Sequence, residues 1–217
     1  MSRLGRLFAG FRSRKQAESP REPEVAAAVA WVVAGLGNPG ERYSRSRHNA
    51  GFIVVERLAA SRRAEFARRR FKGITAQSEL AGAPAILVKP ETYYNASGEC
   101  IAALLGYFKV PAERLIVVHD ELDLEAGRLR IKQGGGDAGN RGVRSIAEAL
   151  GSPDFIRVRL GIGPPAEDED PKEYLLKPMS ELDLEWFAPA VERAAAAVEA
   201  IAAEGLERAM SRFNQRL

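Results

Sequence analysis

The hydrophobic and polar positions of this chain follow two alternating periods from about residue 29 onward. Apolar runs rich in β-branched residues, and runs in which apolar and polar residues alternate, predict strands. Two of these runs are joined through residues 82–84, which contain Gly and Pro and predict a turn between paired strands. The predicted strands span residues 29–36, 74–80, 85–89, 115–118, 128–132 and 155–162.

Apolar residues spaced three and four apart predict helices between and after these strands. The predicted helices cover residues 51–60, 98–108, 144–150 and a long segment around 187–201. Regular alternation of strands and helices is typical of an α/β domain. We therefore predict a single α/β domain, with a twisted, mostly parallel (mixed) sheet and helices on both faces.

The first 28 residues lie outside this alternation. Residues 1–17 contain five Lys or Arg and no acid, and their apolar residues have helical spacing. We predict that residues 1–28 form an extension, either disordered or a short basic amphipathic helix, and that the folded domain spans residues 29–217. An organellar import signal is the alternative for the extension.

Length and composition narrow the class of protein. A chain of 217 residues suits one domain with a full core. Cys100 is the only cysteine, so no intrachain disulfide forms, which is typical of a reducing compartment such as the cytoplasm. No apolar run approaches the roughly 20 residues of a membrane span, so we expect no membrane partner.

The net charge of +3 is unevenly distributed. Residues 41–72 hold ten Lys or Arg against three Asp or Glu, and residues 128–159 hold seven against three. Residues 165–185 reverse the balance, with two bases against eight acids. This polarity favours a polyanionic partner such as nucleic acid, and simple solvation of Arg-rich faces is the alternative.

The segment GLGNPG, residues 35–40, follows the first predicted strand and has the spacing of a dinucleotide-binding turn. Its context argues against that function, because a polar segment without apolar periodicity follows and Pro39 removes an amide donor. The acidic residue expected at the end of the second strand, where a ribose would be bound, is missing, because Glu56 lies too near and within a predicted helix. We predict instead that this loop presents three side chains at the edge of the sheet: Asn38, Tyr43 and His48.

Polar segments follow four of the predicted strands. Because the carboxyl ends of parallel strands meet at one edge of a sheet, these segments are expected to lie close together. His48 and Asp120 then form a pair in which the carboxylate orients the ring and the other ring nitrogen takes a proton from water. A surface His48 without a partner is the alternative. The segments are residues 35–49, 89–98, 119–123 and 134–142.

Two rival chemistries are less well supported. The segment HDELD, residues 119–123, contains metal-ligand residue types, but consecutive residues on a short turn do not converge on one ion, so we predict no metal. Ser97 lacks the surroundings of a nucleophilic serine and is expected to cap the following helix. Cys100 lies among apolar residues of that helix and is expected to be buried.

The glycine-rich segment 134–142 is a candidate anion site. Consecutive glycine amides can form a concave nest, and the helix that follows offers its positive end. Lys132 precedes the segment, and Arg157 and Arg159 share one face of a later strand. A phosphate held between Lys132 and Arg159 is the corresponding hypothesis, and a surface loop without a ligand is the alternative.

These segments together resemble the bacterial-type peptidyl-tRNA hydrolase family. The resemblance covers about residues 32–214 and leaves out the N-terminal extension. Several long motifs in the correct order are far more specific than any one of them. The motifs are GLGNPG, RHNAGF at 47–52, KPETYYNASG, HDELDL, the GGG loop followed by GVRSI, RVRLGIGPP and AMSRFN.

The resemblance implies an enzyme that hydrolyses the ester between a peptide and the 3′-terminal ribose of tRNA, without metal or cofactor. It implies that His48 activates water with the support of Asp120, that Asn38 contacts the peptide, and that Asn95 orients substrate or water. It also implies a cytoplasmic monomer in translation and ribosome rescue, which binds the acceptor stem and 3′ end of peptidyl-tRNA. The remaining implied contacts are Tyr43 and Tyr93 with the substrate, and Lys132 and Arg159 with the tRNA 5′-phosphate.

The chain departs from the family pattern at two places. Asn140 and Arg141 stand where the family usually has His and Asn, so the substrate-binding Asn maps onto Arg141, which cannot accept a hydrogen bond. Asn140 can replace it only through a shift of one residue. Tyr94 stands where Met is usual. These departures leave open a non-catalytic RNA-binding relative, and a metal-dependent phosphoester hydrolase that uses HDELD is a third hypothesis.

Overall fold

A seven-stranded mixed sheet runs through residues 28–215, the part of the chain that the computed structural model describes. In chain order the strands are β1 (Trp31–Gly35), β2 (Arg68–Arg70), β3 (Gly73–Leu80), β4 (Ala83–Pro90), β5 (Leu115–Glu121), β6 (Leu129–Gln133) and β7 (Ile156–Gly161). Their spatial order is β2-β3-β4-β1-β5-β7-β6.

The four central strands, β4, β1, β5 and β7, are parallel, and β2, β3 and β6 add antiparallel edges. This confirms the predicted mixed α/β sheet. The segments after β1, β4 and β5 therefore leave the sheet at the same edge, where α/β proteins place their sites.

Six α-helices are present in residues 28–215. They are α1 (Ala50–Ser61), α2 (Ser97–Phe108), α3 (Arg141–Leu150), α4 (Pro171–Leu176), α5 (Glu181–Glu204) and α6 (Leu206–Phe213). Residues of α1, α5 and α6 pack in one buried cluster, and residues of α2 and α3 pack in another. The helices thus cover both faces of the sheet, as predicted.

The burial of strand β1 explains why the sequences of the central strands are continuous apolar runs. All five of its residues are buried between β4 and β5. Val33 packs in the cluster with α1 and α5, whereas Val32 and Ala34 pack in the cluster with α2 and α3. A strand buried on both faces has no polar face, so its sequence does not alternate.

Two sequence predictions about local structure were wrong. Strand β5 does not end at residue 118 but continues through Glu121, so His119 and Asp120 lie on a buried strand instead of a turn. The Asp120 carboxylate contacts His48 and Tyr94, which lie far away in the chain and which local sequence does not reveal, whereas Nδ1 of His119 contacts the adjacent carbonyl of Asp120. Ser97 does not cap α2, because it is the first residue of that helix and its Oγ donates to the Tyr94 carbonyl at 2.9 Å.

Three elements were not predicted. Strand β2 consists of three exposed arginines at the edge of the sheet and has no buried face to produce an alternating pattern. Helices α4 and α6 are six and eight residues long, too short for a clear helical period.

Almost all of the predicted N-terminal extension lies outside the described residues, with Ala28 as the exception. No helix in the described part of the chain is long and apolar enough to cross a membrane.

Candidate active site

A cleft of about 560 Å³ opens at the carboxyl edge of the central strands. Leu122, Leu175 and Leu176 contribute apolar surface to it, and Lys172 lies beside them. Lys172, Leu175 and Leu176 belong to α4 and were not predicted as site residues, because the sequence of this region shows only an excess of acidic residues. Seven of the predicted site residues line the cleft: Asn38, His48, Tyr93, Asn95, Asp120, Asn140 and Arg141.

His48 and Asp120 are brought together as predicted. The Nδ1 atom of His48 lies 2.9 Å from Oδ2 of Asp120, across 72 residues of sequence. Burial acts to raise the pKa of Asp120, but the charge and hydrogen bond of His48 and the hydrogen bond of Tyr94 hold it below its usual value. Asp120 is therefore a carboxylate at neutral pH. It fixes the tautomer in which Nδ1 carries the proton and Nε2 is the acceptor.

A short helical turn, Arg47–Asn49, carries His48 into the cleft and leads directly into α1. Arg47 is almost fully buried, and its guanidinium lies 2.6 Å from Oδ2 of Asp183 in the first turn of α5. The same group lies over the ring of Tyr174, 4.3 Å from the ring centroid. These contacts fix the backbone on either side of the predicted base.

Gly35 and Gly37 of GLGNPG serve close packing, whereas Gly40 has a φ angle of +109° and a Cβ atom there would meet nothing within 4 Å. A Cβ atom on Gly35 would lie 2.2 Å from the carbonyl oxygen of Gly51 in α1. Because both residues lack a side chain, β1 and α1 touch through their backbones, and the Phe52 amide donates to the Leu36 carbonyl at 3.2 Å. This contact places the loop between β1 and α1, and with it Asn38 and His48, against the end of β5.

Three hydrogen bonds hold Asn38 in place. Its amide donates to Oδ1 of Asn49 at 2.8 Å, and Nδ2 of Asn49 donates back to the Asn38 carbonyl at 3.1 Å. Its own Oδ1 accepts from the Tyr94 amide at 3.0 Å. The side-chain Nδ2 is therefore the group that remains for a ligand. Asn49 is buried and was missed by the sequence reasoning, although it lies within the RHNAGF motif.

Tyr94 is a site residue that the sequence showed only as a departure from a pattern. Its hydroxyl donates to Oδ1 of Asp120 at 2.7 Å, and its ring stacks on that of His48 with 3.6 Å between centroids. Burial, and then the charge of Asp120, raise the pKa of Tyr94 well above its usual value. The hydroxyl thus stays protonated.

Asn140 and Arg141, the two residues at the other departure from the family pattern, have different positions. Asn140 caps α3, since its Oδ1 accepts from the Val143 amide at 3.0 Å, and its Nδ2 donates to the Tyr94 hydroxyl at 2.9 Å. Arg141 is the first residue of α3 and is exposed at the rim of the cleft. Asn95 and Tyr93 are also exposed there, with the Tyr93 side chain 67% accessible.

A cationic face adjoins the cleft on strands β6 and β7. Lys132 lies opposite Arg157, and Arg130 lies opposite Arg159. Burial, followed by the charges of Arg157 and Arg159, lowers the pKa of Lys132. Arg159 is paired with Glu121, which itself lines the cleft, at 2.8 Å. The predicted Lys132 and Arg159 are thus beside the cleft and outside its lining.

Arg157 shapes the glycine-rich loop next to this face. It is almost fully buried and donates to the carbonyl oxygens of Gly134, Gly135 and Gly136. The sequence predicted Arg157 near this loop but did not reveal that its side chain holds the loop. Tyr43, the remaining predicted residue, carries the guanidinium of Arg42 over its ring, is half-buried, and does not line the cleft.

Two of the three acidic residues of HDELD, Asp120 and Glu121, have separate partners. Asp120 contacts His48 and Tyr94, whereas Glu121 is paired with Arg159. Nδ1 of His119 lies 2.7 Å from the carbonyl oxygen of Asp120. Within residues 28–215 no group of three or more His, Cys, Asp or Glu side chains is arranged to hold a metal ion. Cys100 is buried as predicted, and burial raises its pKa to about 12.

An α/β domain with a buried-carboxylate–histidine pair at its carboxyl edge, beside a row of cations, has the construction of a general-base hydrolase for an anionic substrate. The peptidyl-tRNA hydrolase family model matches residues 32–217, so the chain belongs to the peptidyl-tRNA hydrolase family. This confirms the family, and the hydrolase class of enzyme, that the motifs predicted.

Individual relatives agree over nearly their whole lengths. The chain is 45% identical to the peptidyl-tRNA hydrolase of Frankia casuarinae, over 85% of this chain and 93% of the relative. It is 46% identical to that of Thermus thermophilus, over 85% and 96%. The crystal structure of peptidyl-tRNA hydrolase from Acinetobacter baumannii superimposes with a TM-score of 0.79 at 32% identity, covering 87% of this chain and 95% of that one.

Proposed function

We propose that this protein hydrolyses the ester bond of peptidyl-tRNA with His48 as general base and without a metal ion. The observation that carries the proposal is the 2.9 Å contact between His48 Nδ1 and Asp120, which leaves Nε2 as the proton acceptor at the cleft. Family membership supplies the substrate class.

The reaction needs few groups because an ester is already activated toward attack. His48 Nε2 takes a proton from water as the water oxygen bonds to the ester carbonyl carbon. The tetrahedral intermediate then collapses as the bond to the ribose oxygen breaks, and the imidazolium returns its proton to that oxygen. Asp120 stabilises the imidazolium throughout. The products are tRNA with a free terminal hydroxyl and a peptide carboxylic acid, which releases its proton to solvent to become the carboxylate.

The amide side chains of the cleft are proposed to hold the peptide end. Asn38 offers Nδ2 to a substrate carbonyl, because its Oδ1 is already engaged by the Tyr94 amide. Asn95, exposed at the cleft, orients the attacking water or the ester, and Tyr93 packs against the substrate. A preorganised donor near the carbonyl stabilises the oxyanion that forms during attack.

The tRNA is proposed to approach over the cationic face. Lys132 and Arg159 hold the 5′-phosphate of the acceptor stem, while the 3′ end reaches His48. Support comes from the adjacent cations of β6 and β7, whose mutual repulsion an anion would relieve. Arg141 at the rim can donate to a phosphate or to the substrate, although it cannot act as the acceptor that the usual Asn supplies.

We further propose that the protein acts as a monomer in the cytoplasm, where peptidyl-tRNA is released from stalled translation. The single cysteine is consistent with a reducing compartment.

The test is release of peptide from an N-acylaminoacyl-tRNA in the presence of EDTA, with wild type, His48→Ala, Asp120→Asn and Arg141→Asn in parallel. Wild type is expected to be active, His48→Ala to lose at least about 100-fold in kcat, and Asp120→Asn to fall markedly. Tight tRNA binding without turnover would instead support the RNA-binding relative. Activity abolished by EDTA and restored by a divalent ion would overturn the metal-free mechanism.

A further inference from the structure

Tyr94 contacts both members of the proposed catalytic pair, and nothing in the motifs assigns it a function. Its hydroxyl donates to Oδ1 of Asp120 at 2.7 Å. Its ring lies against that of His48, with centroids 3.6 Å apart and the planes inclined by 15°. One side chain therefore constrains both the carboxylate and the imidazole.

The hydrogen bonds around Asp120 form a directed chain. Nδ2 of Asn140 donates to the Tyr94 hydroxyl oxygen at 2.9 Å, so the hydroxyl proton is directed to Oδ1 of Asp120. Oδ2 of Asp120 lies 2.9 Å from Nδ1 of His48. Each carboxylate oxygen thus has its own donor, and rotation of the carboxylate would break a bond on each side.

The position of Tyr94 is itself fixed. Its side chain is only 5% accessible, and its amide donates to Oδ1 of Asn38. Gly142 makes room for the ring, because a Cβ atom there would lie 2.6 Å from Cε1 of Tyr94. The two departures from the family pattern, Tyr94 and Asn140, are therefore joined in one hydrogen-bond network.

We propose that Tyr94 is a positioning residue for the hydrolysis, which holds the Asp120 carboxylate and the His48 ring in the relative orientation that proton abstraction needs. Asn140 orients the hydroxyl group of Tyr94. The proposal rests on the proposed function, in which His48 is the base. The hydrogen bond also withdraws charge from Asp120, so that the carboxylate holds the imidazolium less firmly than an otherwise unbonded carboxylate would. Loss of the hydroxyl should then favour the protonated ring.

Other titratable or charged groups lie near the pair and are not substituted in the variants below, although Asn140→Ser also removes the 3.3 Å contact between Nδ2 of Asn140 and Nδ1 of His119. His119 and Glu121 adjoin Asp120 on β5, and the outer cleft carries Asp123, Arg141 and Lys172.

Nuclear magnetic resonance of the two histidines, His48 and His119, tests the arrangement without any substrate. In Tyr94→Phe the ring stack remains, so the ring-current shift of the His48 protons should persist. The signal of the His48 Nδ1 proton, which lies between the ring and Asp120, should move, because Asp120 loses its hydrogen bond from Tyr94. In Tyr94→Met the ring-current shift should disappear as well.

Kinetics supply the functional readout. Tyr94→Phe should lower kcat about tenfold with little change in KM, and it should move the acidic limb of the kcat/KM profile to higher pH. Asn140→Ser keeps a capping oxygen on α3 but loses the donor to Tyr94, so it should shift the same limb by a smaller amount. Tyr107→Phe, an exposed tyrosine outside the site, is the matched control and should change neither.

The outcomes separate the two proposals. If Tyr94→Phe has the pH profile of kcat/KM and the His48 Nδ1 proton signal of wild type, Tyr94 does not position the pair, even if the variant is less stable. If wild type does not hydrolyse the ester, the proposed function fails, while the resonance measurements still decide whether Tyr94 controls the His48–Asp120 pair.

Discussion

Arg47 and Asp183 form an ion pair of 2.6 Å between the turn that carries His48 and the first turn of α5. The two residues are 136 positions apart, and the Arg47 side chain is only 5% accessible. Asp183 also completes a capping box with Ser180 at the start of α5. The carboxylate of Asp183 thus links the turn that carries His48 to the first turn of α5.

Substitution of Asp183 by Asn should therefore cost more stability than a surface ion pair. The variant leaves a buried guanidinium without its counter-charge, and we expect the free energy of unfolding to fall by about 2–3 kcal/mol. Urea denaturation measures the loss. Glu181→Gln is the matched control, since Glu181 makes an exposed contact of 3.4 Å with Arg45 and should change stability by less than about 0.5 kcal/mol. Equal effects of the two substitutions would contradict this view of the pair.

The contribution of Asp183 should depend on pH in a defined direction. Burial acts to raise its pKa, but hydrogen bonds from Ser180 and the charge of Arg47 lower it below the ordinary value for Asp. A carboxyl group with a lower pKa in the folded state stabilises the fold fully above its unfolded pKa of about 3.9. The stability is lost as pH falls through the folded pKa.

The stability difference between wild type and Asp183→Asn should thus be constant from pH 7 to about 5 and shrink progressively below about pH 4. Denaturation of both proteins at a series of pH values measures this difference. A difference that stayed the same down to the acid limit of folding would show that the charge on Asp183 is not the cause.

The His48–Asp120 pair could be predicted from sequence because the rule behind it is topological. Parallel strands bring their carboxyl ends to one edge whatever the details of packing, and Asp120 is at the end of such a strand. The same rule led to Asn38 and Asn95, which line the cleft. It does not account for Asn140, because the glycine-rich segment follows the antiparallel strand β6, which ends at the opposite edge, and only residues 138–141 at the end of that segment line the cleft. The order of the motifs identified the family, and the family model confirms it.

The contacts that hold this pair in place were not predictable in the same way. The bond from Tyr94 to Asp120 depends on side-chain orientation and on the space left by Gly142. The Arg47–Asp183 pair joins an apparently ordinary basic segment to an apparently ordinary acidic one. Strand β5 was predicted too short because buried polar residues resemble a turn until their distant partners are known.

Lys132 should affect binding of tRNA more than the chemical step. Removal of one cation that contacts a phosphate weakens binding and lowers the salt dependence of log Kd by about one unit of slope. We expect Lys132→Ala to show both effects in tRNA-binding measurements across a range of salt concentrations, with kcat at saturating substrate little changed. Arg208→Ala, an exposed cation on α6, is the matched control. A salt slope unchanged from wild type would place the phosphate elsewhere.

The glycine at the end of β1 should tolerate no side chain. A Cβ atom on Gly35 would lie 2.2 Å from the Gly51 carbonyl oxygen and 2.8 Å from a methyl group of Val55, so Gly35→Ala must push α1 away from the sheet. Overpacking against backbone should cost about 3 kcal/mol or more. Because α1 begins two residues after His48, kcat should fall as well.

Gly106 provides the matched comparison for this substitution, since it lies in α2 and a Cβ atom there would meet nothing within 4 Å. Gly106→Ala should stabilise the protein by roughly 0.5–1 kcal/mol through helix propensity alone, with unchanged activity. Thermal or urea denaturation of the two variants beside wild type decides the matter. If Gly35→Ala were as stable as wild type, the glycines of GLGNPG would need an explanation other than the close contact of β1 with α1. A bound ligand would then be the first alternative to test.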